Sequence, residues 1–106
     1  MLNEISATQL KAKLDHNEDV QLVDVREDME FEYCNLGGDH IPLGELPKQV
    51  DKISRDKQVV MICHHGFRSA QAIQFLTQRY GYTNLYNLKG GIHAWAQEVD
   101  PSMPTY

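Results

Sequence analysis

The 106-residue chain is 42% hydrophobic and 24% charged, ordinary proportions for one globular domain, so residues 1–106 are expected to form a single unit. Its formal net charge of −5 excludes a general binder of nucleic acid or of anionic membranes, and no apolar run reaches the length of a membrane span. Two cysteines are too few for a disulfide scaffold and "MLNEISATQL" has no secretory pattern, so a reducing, cytoplasmic location that keeps a thiol free is expected.

Along the chain, "NEISATQLKAKLDHN" predicts a helix capped by Ser6, with Gln9 at the capping-box position and Leu10 and Leu14 on one face. "VQLVDV" at 20–25 reads as a strand. A brief helix over Glu27–Tyr33 follows, ended by Gly37 and Gly38. An extended piece near Ile41 leads into a helix-like segment with Leu46, Val50 and Ile53 on one face. "QVVMI" at 58–62 is continuously apolar, as a parallel strand covered on both faces must be.

The segment Ser69–Tyr80 carries Ile73, Leu76 and Tyr80 at helical spacing and ends at Gly81. "NLYNL" at 84–88 is a further strand. Gly90 and Gly91 turn into a last helix bearing Ile92, Ala94, Trp95 and Val99, which Asp100-Pro101 stops, leaving the tail "SMPTY". Strands alternating with helices predict an α/β fold: an open, mostly parallel sheet with helices on both faces. In such sheets the working site lies beyond the carboxyl ends of the strands. Asp24-Val25-Arg26, Cys63 onward and Lys89-Gly90-Gly91 all fall there.

The stretch "CHHGFRSA" at 63–70 is the richest of these in chemistry. A strand ends at Cys63 and a helix begins a few residues later, so the backbone between must curl, with Gly66 permitting the bend. Such a curl points successive N–H groups inward, the helix start adds its positive end, and Arg68 adds a full charge. Each favours thiolate over thiol and makes Cys63 a candidate nucleophile. A metal site is not expected, because His64 and His65 are adjacent and side chains in a tight loop diverge. They are either solvated loop residues or groups that shape the pocket mouth and assist proton transfer. A cysteine phosphatase or arsenate reductase spaces five residues between cysteine and arginine; here only four separate Cys63 from Arg68. The smaller ring suits a sulfur atom carried on the cysteine better than a phosphoryl group.

The pieces "LVDVRED" from residue 22, "HIPLGEL" at 40–46, "VVMICHHGFRSAQA" at 59–72 and "LYNLKGGIHAW" at 85–95 together resemble the single-domain rhodaneses, and the resemblance covers nearly the whole chain. The ending "WAQEVDPSMPTY" is similar to rhodanese domains attached to enzymes that activate sulfur-carrier proteins. The segment "CNLGGDHIPL" departs from the family pattern by being a residue shorter. The resemblance implies a rhodanese-like fold and a sulfurtransferase that holds sulfane sulfur as a persulfide on Cys63. His64, His65, Gly66, Phe67 and Arg68 would form the cradle of the outer sulfur, with Arg68 positioning a small anionic donor such as thiosulfate. The acceptor would be cyanide, a thiol or a protein, with no metal or organic cofactor required. Asp24 and Arg26 match the family's "DVR" element, either fastening the strand end or supporting catalysis, and Ser69 is a possible support residue. Gly90, Gly91 and Trp95 match architectural positions. Cys34 is expected to be a half-buried helix residue, with a second-thiol role as the lesser alternative. The same fold could instead serve as a sulfur-relay or redox-sensing module.

Overall fold

The computed structural model describes residues 2–106. The helix signals of the N-terminal region are realised as written: Ser6 Oγ accepts from Gln9 N–H at 3.1 Å and Gln9 Oε1 accepts from Ser6 N–H at 2.9 Å, closing a capping box on α1 (Ala7–Asp15). Before it runs β1 (Glu4–Ile5), a two-residue strand that no sequence signal indicated. Then come β2 (Val20–Asp24), α2 (Asp28–Tyr33), β3 (Asp39–His40), α3 (Leu46–Gln49), β4 (Gln58–Ile62), α4 (Phe67–Tyr80), β5 (Leu85–Leu88) and α5 (Gly91–Glu98). The single helix suggested by Leu46, Val50 and Ile53 is broken into α3 flanked by 3-10 turns at Leu43–Glu45 and Val50–Lys52, yet all three side chains are buried.

The five strands form one sheet in the order β1-β5-β4-β2-β3, every pairing parallel. β4 lies in the middle, and its side chains alternate between two cores because strand side chains alternate faces. Val59 and Met61 join Leu46, Ala72, Ile73 and Leu76 of α3 and α4 on one face. Val60 and Ile62 join Leu10, Ile92 and Trp95 of α1 and α5 on the other. Continuous burial on both faces is why "VVMI" carries no polar residue. Among the described residues no helix is long and apolar enough to cross a membrane.

Candidate active site

β4 delivers Cys63 to the carboxyl edge of the sheet, where it is 1% exposed. The chain turns at Gly66, whose φ of 102° and ψ of 1° lie in the left-handed region that glycine adopts without strain. This turn starts α4 at Phe67, two residues earlier than the apolar spacing indicates, so Phe67 and Arg68 sit in its first turn. The Gly66 N–H donates to Cys63 Sγ at 3.1 Å and the Ser69 N–H at 3.3 Å. Ser69 Oγ lies 3.2 Å from the same sulfur. The first helix-type bond runs from Ala70 N–H to Gly66 O, so the amides of Phe67 and Arg68 have no intrahelical acceptor. Donors aimed at one buried sulfur stabilise negative charge on it.

Asn87 of β5 completes this arrangement. It is 2% exposed; its Nδ2 donates to Gly66 O at 3.0 Å, and its Oδ1 accepts from the Ser69 hydroxyl. Sequence reasoning missed Asn87, although a polar residue within the apolar run "LYNL" is the signal that could have singled it out. From the other side α5 docks on the loop: Ile92 N–H donates to Cys63 O at 2.9 Å and His93 N–H to His64 O at 3.1 Å. Gly91, at φ 63°, passes so close that an added Cβ would collide with the carbonyl oxygens of Cys63 and His64.

Phe67 and Arg68 are the other residues expected around the outer sulfur. The Phe67 ring points outward and is 82% exposed. Arg68 forms a two-pronged ion pair with Glu30 of α2, at 2.6 and 2.8 Å. Glu30 also accepts from Tyr106 Oη at 2.9 Å. Its bonds to Arg68 hold the Glu30 carboxyl down at about 2 against the opposing effect of burial. A folded-state value below the ordinary 4.5 means that the pair stabilises the fold fully above that pH and ceases to do so as pH falls towards about 2. Glu30→Gln should therefore flatten the wild-type loss of thermal stability across that window, as read by circular dichroism melts.

Asp24 and Arg26 lie deeper. Arg26 is fully buried, and its guanidinium donates to both carboxylate oxygens of Asp24, at 2.8 to 3.1 Å. It donates further to Cys34 O at 2.6 Å, Glu30 O at 3.2 Å and Tyr106 Oη at 2.8 Å. Burial is the largest single influence and works against the charge, but the hydrogen bonds and charge of Asp24 together with the bond to Tyr106 offset it and raise the arginine above its ordinary value. Arg26 thus ties the end of β2 to the end of α2 and to the last residue of the chain. Cys34 is the C-cap of α2 and is buried, not half-buried, because its carbonyl is drawn onto Arg26.

The expectation that His64 and His65 diverge is corrected by the geometry. Their ring centroids lie 3.9 Å apart, and His93 from α5 joins them at 6.1 and 5.0 Å. Tyr106, read from the sequence as tail, stacks flat on His64 at 3.9 Å and 11°. Burial, then the neighbouring His65, pushes His64 below its ordinary value. Burial likewise pushes the Tyr106 phenol up to about 12, so it remains a neutral donor to Glu30.

The comparisons with known proteins agree with this architecture. A family model described as "Rhodanese-like domain" matches residues 6–98. A protein named "Sulfurtransferase" from Allochromatium vinosum is 39% identical over 102 residues, covering 95% of this chain and 94% of its own. YtwF of Bacillus subtilis is 36% identical over 101 residues, covering 94% and 96%. The crystal structure of a rhodanese-like domain protein from Staphylococcus aureus superposes with a TM-score of 0.82 at 28% identity, covering 99% of both chains. A cysteine cradled at the end of the central parallel strand, and a family match running from the cap of α1 to the end of α5, lead to one assignment: the chain belongs to the rhodanese-like domain family.

Proposed function

We propose that the protein transfers sulfane sulfur through a persulfide on Cys63. The observation that carries this is the convergence of the Gly66 and Ser69 amides on one buried sulfur at the start of α4; the name of the Allochromatium relative supports it. In the first half-reaction the Cys63 thiolate forms a bond to the outer sulfur of the donor. The donor's sulfur–sulfur bond breaks, and the remainder leaves with the bonding pair, as sulfite when the donor is thiosulfate. The negative charge now rests on the terminal sulfur, in reach of helix-start amides that have no other acceptor. In the second half-reaction a thiol, a protein thiolate or cyanide attacks that terminal sulfur, and Cys63 departs as thiolate. A reducing compartment such as the cytoplasm suits this chemistry, since it keeps Cys63 from oxidation.

A second reading concerns the donor. Arg68, the residue expected to hold an anionic donor, is already neutralised by Glu30, which favours a protein or thiol persulfide over free thiosulfate. Intact mass spectrometry tests both. Incubation with a persulfide donor should add one sulfur atom to the wild type and none to Cys63→Ser. Faster loading by a protein persulfide than by thiosulfate supports the relay reading, and the reverse order supports thiosulfate. Absence of any adduct with either donor overturns the sulfur-transfer function itself.

A further inference from the structure

The side of the Cys63 loop facing α5 carries imidazole nitrogens that the sulfur-transfer steps do not use. His64, His65 and His93 each offer one ring nitrogen, and the three atoms lie within 4.8 Å of one another. We propose that these three histidines bind a divalent transition-metal ion of the zinc type beside the Cys63 loop.

Two observations beyond proximity carry this. His64 Nε2 and His93 Nδ1 are buried and have no hydrogen-bond partner. Buried side-chain nitrogens are ordinarily paired, and one left open in each of two neighbouring imidazoles marks a place where a ligand completes the bonding. The two residues are also held in place. The His93 N–H is bonded to His64 O, and the His64 ring is clamped against Tyr106. His65 is exposed and free to swing, which supplies the small closure needed. Tetrahedral zinc with nitrogen at about 2.0–2.1 Å brings its ligand atoms to roughly 3.4 Å from one another, well inside the reach of one imidazole rotating about its χ angles.

The donor set decides the class of ion. Three neutral nitrogen donors without a carboxylate select zinc, cobalt, nickel or copper and exclude magnesium and calcium, which require oxygen. Three protein ligands leave a further coordination position, the pattern of sites that exchange a water or a small anion rather than of closed structural sites. His93 comes from a different element than the loop, so an ion here would also bridge α5 to residues 64 and 65.

The test is calorimetric titration of the full chain with zinc chloride, repeated with cobalt chloride while recording visible absorption. One ion should bind per chain, and binding should persist in Cys63→Ser, which removes the competing thiolate. His65→Ala and His93→Ala should each weaken it by at least about 10-fold, since even supporting residues around a metal contribute about 10–100-fold. Zinc should raise the melting temperature of the wild type and leave that of His65→Ala unchanged; because His65 is exposed, this variant folds. No saturable binding, binding lost in Cys63→Ser, or binding unchanged in either histidine variant overturns the proposal.

Discussion

Asp24→Asn should lower the melting temperature by roughly 15–30 °C, the consequence of about 3–5 kcal/mol of lost stability. Arg26 is 0% exposed and Asp24 2%. The variant leaves a buried guanidinium whose nearest compensating charge is gone. The remaining acceptors are the amide oxygen of the introduced asparagine, the carbonyls of Cys34 and Glu30 and the hydroxyl of Tyr106, all neutral. Hydrogen bonds to neutral oxygens satisfy the N–H groups but do not offset the desolvation of a full charge. The effect on Cys63 chemistry should be smaller than on the melt, because neither residue bonds the sulfur or its loop. A melting temperature within about 3 °C of wild type would show that water reaches Arg26 and that the ion pair is dispensable.

Gly91→Ala is expected to be nearly as damaging for a different reason. A side chain at a left-handed φ costs about 1–2 kcal/mol, and overpacking against rigid neighbours adds roughly 1–3 kcal/mol. The neighbours here are the carbonyl oxygens of Cys63 and His64, which cannot yield without moving the cradle. The bonds Ile92 N–H to Cys63 O and His93 N–H to His64 O would be strained or lost together. A drop of roughly 10–20 °C in the melt should accompany slower persulfide loading of Cys63, measured on the folded fraction by intact mass. Unchanged loading would mean that α5 supports the fold but not the geometry at the sulfur.

The order of elements was legible because its signals are local. Ser6 and Gln9 lie three residues apart, and the apolar run at Val59–Ile62 needs only its own composition. The loop from Cys63 to Ser69 was legible for the same reason: its cysteine, turn glycine and helix start fall within one short stretch. What sequence reasoning missed is what folding brings from afar. Tyr106 reaches Arg26 across 80 positions and Glu30 across 76. β1 is two residues long and exists only because β5 offers it an edge. His93 looks ordinary in its own segment and Asn87 stands out in its own only as a polar residue in an apolar run; both acquire meaning only when β5 and α5 close on the loop. The start of α4 was misplaced by two residues because apolar spacing marks the buried face of a helix, while its true beginning is set by the backbone of Gly66.

The hydroxyl of Ser69 has a single hydrogen and two claimants, Asn87 Oδ1 and Cys63 Sγ. Asn87 cannot turn its amide round to help, since its Nδ2 is engaged by Gly66 O. When the sulfur carries its proton, the thiol serves Ser69 Oγ and the hydroxyl serves Asn87. When the sulfur is anionic it has no proton to give, so the contact with Ser69 Oγ persists beside the two amide bonds only if the hydroxyl donates to sulfur, and Asn87 Oδ1 then loses that bond. The charge state of the sulfur is thus written into the hydrogen-bond inventory of the neighbouring strand, where the side-chain amide resonances of a single asparagine would report it.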